Sequence, residues 1–282
     1  MGAIEVRRAG VTLAGEETGE GIPVVLVHGL TASRRYVVMG SLALERGGHR
    51  VVAYDARGHG ASSPAPVPTA YGYEDLAADL EAVLDAAGIG GAVLAGASMG
   101  AHTIARLALD RPERVAGAVF VTPAFDPQTP STAEDLARWD ALAAGLRTGG
   151  VEGFVAAFDA AALPEAWRET IVTVLRQRLA VHEHPGAVAD ALEAVPRSRP
   201  FERLEELAAL EGPVVVVASR DEADPGHPWA VGEAWAEALP AAELVSEEPG
   251  ASPVAWQGGR LSRVIAGVAA EAARQGRLTP LS

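Results

Sequence analysis

Short apolar runs alternate along this chain with longer stretches of helical periodicity. Residues 3–8 and 11–17 flank a tight Ala9-Gly10 turn and read as an antiparallel hairpin. Six further apolar runs follow: IPVVLVHGL (22–30), HRVVAYDARGHGAS (49–62), GAVLAGASMG (91–100), VAGAVFVTPA (115–124), PVVVVASRD (213–221) and AELVSEEPG (242–250). Each opens on a short apolar stretch, as expected of a buried strand, and the second runs on into a Gly-rich loop. Helical patterns fill the gaps. Residues 71–88 carry apolar positions at helical spacing, and in the last helix Leu261, Val264, Ile265 and Val268 recur at i, i+3, i+4 and i+7. Strands alternating with helices predict an α/β protein with a mostly parallel, eight-stranded sheet flanked by helices.

The alternation breaks once. Between the runs ending at 124 and beginning at 213 no strand pattern occurs, and several helices are expected instead. One starts near Pro164, with Trp167, Ile171, Val174, Leu175 and Leu179 on one face. Residues 125–210 therefore read as an all-helical cap, inserted into a core formed by 1–124 and 211–282.

Composition narrows the chemistry. The chain has 282 residues and a formal net charge of −14, which disfavours nucleic acid and anionic membranes as partners. A small molecule is the expected partner, and the sequence leaves a homodimer open. There is no cysteine, and all 23 basic residues are arginine. Disulfides, thiol catalysis, lysine Schiff bases and a P-loop lysine are therefore excluded. Neither Lys nor Asn occurs, while Ala, Gly, Arg and Pro abound, which suggests a GC-rich bacterial genome. MGAIEVRRAG lacks an apolar signal core and no apolar run is of membrane-spanning length, so a cytoplasmic protein is expected. No metal cluster is visible at ligand spacing, and no cofactor is expected.

Residues 96–100 read Gly-Ala-Ser-Met-Gly, a G-x-S-x-G run between a strand and a helix. Small neighbours allow a sharp turn there, lifting Ser98 onto the N-terminus of the following helix. His28-Gly29 closes an earlier strand, DARGHGAS (55–62) follows the next, and SRDEADPGHP (219–228) follows a later one. With these four marks in this order, nearly the whole chain resembles the α/β-hydrolase superfamily. The resemblance implies an α/β-hydrolase fold in which Ser98 is the nucleophile. The backbone N–H groups of Leu30 and Met99 would form the oxyanion hole, and an Asp after the strand at 213–217 would be the acid. Asp221 precedes Pro225 by four residues and Asp224 precedes Pro228 by four, so both remain candidates.

One departure stands out. The family keeps its general base in the loop after the last strand, often as Gly-His. Here that loop is EEPGASPVAW (247–256), with Ala251 after Gly250, and no histidine occurs beyond His227. His227, three residues from Asp224, is the first replacement to consider, ahead of His182 and His184 in the cap and His102 one turn past Ser98. His28 reads first as fixing the oxyanion loop through a ring hydrogen bond and Trp167 as packing, with substrate contact the other candidate role for both. Asp55, Arg57 and His59 read as residues that tie loops together.

Three functions are compatible with this pattern. The first is a serine hydrolase, esterase-like, that cleaves an ester, thioester or related acyl bond of a small apolar substrate with a non-standard base. The second is a lyase, isomerase or cyclase that uses the oxyanion hole without covalent attack. The third is an inactive homologue that binds a small ligand.

Overall fold

A computed structural model describes residues 2–129, 131–220 and 224–278. The eight strands are β1 (Gly2–Arg8), β2 (Val11–Thr18), β3 (Ile22–Val27), β4 (His49–Tyr54), β5 (Ala92–Ala97), β6 (Val115–Val121), β7 (Val214–Val217) and β8 (Ala242–Val245). They form one sheet in the order β1-β2-β4-β3-β5-β6-β7-β8. The hairpin pairs β1 with β2 antiparallel, β2 joins β4 antiparallel, and every later pairing is parallel. Ala9 and Gly10 both hold positive φ, 47° and 79°, which matches the twist a two-residue hairpin turn requires.

The helices are α1 (Ala43–Arg46), α2 (Tyr73–Ala86), α3 (Met99–Asp110), α4 (Ala133–Ala157), α5 (Glu165–Leu179), α6 (Pro185–Ala194), α7 (Trp229–Ala238) and α8 (Gly258–Arg274). Strand periodicity divides the core in two. Val25, Val27, Leu94, Phe120 and Val216 point to one face, against α2, α3 and α7, where Leu80, Ile104 and Trp235 are fully buried. Val24, Leu26, Val93, Val119 and Val217 point to the other, against Leu261, Ile265 and Val268 of α8. Both faces are covered, so the parallel strands carry almost no polar side chains.

Helices α4, α5 and α6 lie between β6 and β7, with no strand among the described residues of that interval. Thr132 and Asp135 cap α4 reciprocally. At Gly150 (φ 60°, ψ −145°) the backbone leaves helical geometry, and the two arms of α4 fold together so closely that a Cβ on Gly145 would lie 2.4 Å from the Gly153 carbonyl oxygen. A separate apolar cluster, including Leu146, Phe154, Leu179 and Leu192, holds these helices to one another.

Loop residues anchor the sheet's carboxyl edge. Arg57 is 1% exposed and grips Asp79 of α2 with two hydrogen bonds, at 2.7 and 2.8 Å, while its Nη1 donates to the Ala70 carbonyl at 2.7 Å. Asp55 accepts hydrogen bonds from the Arg34 N–H and guanidinium and from the Ala61 N–H. Removing one member of a buried ion pair strands the other charge. Asp79→Ala leaves Arg57 with only the half-exposed Asp75, 3.1 Å away, and is expected to lower stability by up to about 3 kcal/mol. Urea denaturation followed by circular dichroism checks this. A loss below about 1 kcal/mol would show that the pair contributes little.

Candidate active site at the strand–helix corner

Ser98 occupies the turn between β5 and α3, at φ 49° and ψ −113°. Non-glycine residues rarely adopt this conformation, and such strain persists only where the surroundings impose it. Two glycines make it feasible. A Cβ on Gly96 would lie 2.4 Å from the Gly100 carbonyl carbon and oxygen, and one on Gly100 would lie 2.0 Å from the Val27 oxygen. The Ser98 N–H donates to the Val121 carbonyl at 2.9 Å, and its own carbonyl accepts from the His102 N–H at 3.1 Å. Strands β3 and β6 thus clamp the corner from both sides.

The loop after β3 passes over this corner: a Cβ on Gly29 would come within 3.5 Å of Ser98 Cβ. Among the described residues, the N–H groups of Leu30 and Met99 have no hydrogen-bond partner. The Met99 N–H opens α3, where the helix dipole favours negative charge. The Ser98 hydroxyl likewise has none among the described residues.

A cavity of about 910 Å³ opens over Ser98. Gly29, Leu30, Ser98 and Thr122 form its floor, while Trp139, Phe154, Trp167 and Ile171 of the inserted helices form an apolar wall. Trp167 also meets Trp256 edge to face, with ring centroids 5.6 Å apart. Asp224 and His227 reach the same cavity from the loop before α7. Asp224-Pro225-Gly226-His227 forms a turn closed by the His227 N–H donating to the Asp224 carbonyl at 3.0 Å. That turn sets the two side chains together, with His227 Nδ1 2.9 Å from Asp224 Oδ1. A carboxylate can only accept, so Nδ1 carries the proton of that bond, and Nε2 has no hydrogen-bond partner among the described residues. Asp221 lies outside the described residues.

The histidines divide sharply. His28 is buried, its Nδ1–H donates to the Gly29 carbonyl, and its Nε2 accepts from the Ala56 N–H at 2.9 Å. No ring atom remains for a substrate, so His28 fixes the loop at Gly29 rather than contacting a ligand. His102 Nε2 accepts from the Ala124 and Phe125 N–H groups at 3.0 and 3.2 Å, and its Nδ1 bonds the Tyr73 hydroxyl at 2.8 Å. It is fully committed and is no base for Ser98. His182 ties the inserted segment to the core, accepting from the Gly60 N–H at 2.8 Å and donating to the Thr31 carbonyl at 2.9 Å. His59 lies between His28 and His182, its Nδ1 bonded to the Arg57 carbonyl. His184 precedes α6 and is absent from the cavity lining.

Burial pushes His28 and His102 down to about 3, lowers His182, and holds His59 well below the ordinary imidazole value. His227 moves the other way. Burial is the largest single effect and opposes the imidazolium, but the charge and hydrogen bond of Asp224 together outweigh it and raise the ring above its usual value. A nearby guanidinium, Arg178, tempers the rise.

Arg178 of α5 was not singled out by the sequence reading, yet it lines the cavity and donates to the Leu30 carbonyl at 2.8 Å. A signal existed. Position 178 follows Ile171, Val174 and Leu175 by seven, four and three residues, so a charge falls within the apolar face of its helix. Among the described residues, no group of three or more His, Asp or Glu side chains gathers as metal ligands would.

Residues 22–258 match the family described as alpha/beta hydrolase fold, and the chain belongs to it. It is 32% identical over 221 residues to "Putative carbamate hydrolase RutD" of Variovorax paradoxus (strain S110), covering 78% of this chain and 80% of that protein. Its structure is similar to that of Est816, described as an N-acyl homoserine lactone degrading enzyme (TM-score 0.73, 25% identity, 94% of this chain and 98% of that one). It also superposes on a thermophilic esterase from Thermogutta terrifontis (TM-score 0.76, 24% identity, 99% of this chain and 100% of that one), a likeness of fold. No helix among the described residues is long and apolar enough to cross a membrane.

The buried neutral histidines make stability depend on pH. His28 and His102 titrate far lower folded than unfolded, where the ring is near 6.5. Unfolding therefore takes up protons in acid. Stability from these groups is complete above about pH 6.5 and falls as pH drops toward their folded values. Urea midpoints between pH 8 and pH 4 check this. A midpoint that stays level or rises on acidification would contradict it.

Proposed function

We propose that this protein is a serine hydrolase acting on an ester, thioester or related acyl bond of a small, largely apolar substrate. The observation that carries this reading is that Ser98, on its strained corner, opens into the same cavity as the hydrogen-bonded Asp224–His227 pair. The hydrolase names of the relatives support the reaction class.

In the proposed reaction Ser98 Oγ attacks the acyl carbon while His227 Nε2 takes its proton. Asp224 holds Nδ1–H and stabilises the imidazolium that results. The Leu30 and Met99 N–H groups receive the oxyanion, each worth about 3–4 kcal/mol in the transition state. His227 then returns the proton to the departing oxygen, sulfur or nitrogen. In the second half a water loses its proton to His227 as it adds to the acyl carbon, and His227 then gives that proton to Ser98 Oγ as the acyl–Oγ bond breaks, releasing the acid and the free serine. Because Ser98 Oγ has no hydrogen bond among the described residues, the Ser98–His227 contact must close as substrate enters.

That missing hydrogen bond favours a second reading as well. A lyase, isomerase or cyclase would use the two N–H donors to hold an enolate or alkoxide without needing Ser98 as a nucleophile, and a simple ligand binder would need no chemistry at all.

A fluorophosphonate probe separates these readings. Covalent labelling of the wild type is expected on Ser98 and lost in Ser98→Ala. His227→Ala is expected to slow labelling by about 10²–10⁴. An unlabelled wild type would move the assignment to the second reading.

The pH profile tests Asp224. Hydrolysis needs neutral His227, so kcat/KM is expected to rise with pH through an ionisation above the ordinary imidazole value. Asp224→Asn removes the charge that favours the imidazolium. The acid limb should then move to lower pH while the plateau falls. A limb that stays in place would assign the base to another group.

A further inference from the structure

Arg178 carries a positive charge into a largely apolar cavity and forms no ion pair among the described residues. Its Nη2 donates to the Leu30 carbonyl at 2.8 Å and to Thr31 Oγ1 at 2.9 Å, both neutral acceptors. Its Nε is buried without a partner. Asp224 attracts it at longer range but is bonded to His227. Burial pushes the guanidinium below its usual value, a sign of incomplete compensation. A buried, half-satisfied cation is costly, and proteins retain one where something else completes it.

Two neighbours point to what completes it. Tyr36 lines the cavity with its ring 6.0 Å from the Arg178 guanidinium carbon, and its hydroxyl has no hydrogen-bond partner among the described residues. Arg35 stands exposed at the cavity lining, with no ion pair among the described residues. In a chain of net charge −14, two arginines and a free phenol converging on one cavity form a local positive site.

We infer that Arg178, with the Tyr36 hydroxyl and Arg35, forms a carboxylate subsite, so that the substrate is an acyl compound carrying a carboxylate. This rests on the hydrolase reading and adds the substrate class. Arg178 bonds the carbonyl of Leu30, and in the hydrolase reading the N–H of the same residue receives the oxyanion. On that reading the carboxylate is expected only a few bonds from the scissile acyl carbon. A guanidinium suits this task because its donors are fixed in a plane that matches a carboxylate.

The test compares mono-4-nitrophenyl esters of succinate, glutarate and adipate with 4-nitrophenyl butanoate and pentanoate. At one chain length the carboxylate ester is expected to exceed the neutral ones by about tenfold or more in kcat/KM, the scale of one charged hydrogen bond. Arg178→Met should bring that ratio close to one, Arg178→Lys should keep part of it, and Tyr36→Phe should reduce it by a few-fold. A merely structural Arg178 would lower both ester types together and leave the ratio unchanged, which would overturn the proposal.

A second arm needs no turnover. Calorimetry on Ser98→Ala compares succinate, glutarate and adipate with their diamides. Tighter binding of a dicarboxylate, lost with Arg178→Met, supports the subsite even if no ester is cleaved, in which case the hydrolase reading alone fails. Ester cleavage with no carboxylate preference, and diamides bound as well as dicarboxylates, leaves the hydrolase reading standing and refutes the subsite.

Discussion

The site depends on one close approach, that of the α3 N-terminus to the end of β3. With no side chain at Gly100, the first turn of α3 presses against the Val27 carbonyl, and Ser98 is held at a positive φ it would not choose unaided. A bond from Ser98 N–H to Val121 on the other side locks the same corner. The consequences are local but complete. The serine side chain stands clear of the sheet, the Met99 N–H is left without an internal acceptor, and the loop carrying Leu30 has a fixed surface to pass over. Preorganisation of this kind is what makes backbone donors effective toward a developing negative charge.

Around that corner the protein sorts its imidazoles by environment. His28, His102 and His182 have both ring nitrogens engaged, and burial holds all three neutral. They act as rigid connectors, joining the Gly29 loop, α3 and the inserted helices to the core. His227 differs in kind. One nitrogen is bonded to a carboxylate, the other has no partner among the described residues, and the ring is shifted upward toward the charged form. In the proposed reaction this is the environment a base requires. Arg178 links the two halves of the site, since it leaves an inserted helix, faces the cavity and bonds the carbonyl of Leu30.

Much of this was legible in the sequence, for identifiable reasons. The parallel strands appear as short apolar runs because both faces of the sheet are covered, and every observed strand lies within or overlaps one of those runs. The glycine-rich segment 55–62 after β4 and the start of the helix after Ser98 were readable too, because Gly and small residues mark where a strand stops. The Ser98 corner was readable because sharp turns demand small residues at fixed positions. The pairing of Asp224 with His227 was readable as spacing, three residues apart in DPGHP, but its turn geometry was not. The ring hydrogen bonds of His28 agree with its reading as a residue that fixes the Gly29 loop, and only its candidacy for substrate contact falls away. One feature escaped. The role of Arg178 depends on which face of α5 meets the sheet, and helical periodicity leaves that tertiary choice open.

The central claim is that Ser98, the Leu30 and Met99 N–H groups and His227 act together on one acyl group. The most direct measurement is a crystal structure with an alkyl boronic acid, whose tetrahedral adduct resembles the acyl-transfer intermediate. The account predicts boron bonded to Ser98 Oγ, one boronate oxygen about 2.7–3.1 Å from both N–H groups, and another within hydrogen-bonding reach of His227 Nε2. A boronate bound without the Ser98 bond, or bonded there with His227 beyond the reach of one bridging water, would contradict it.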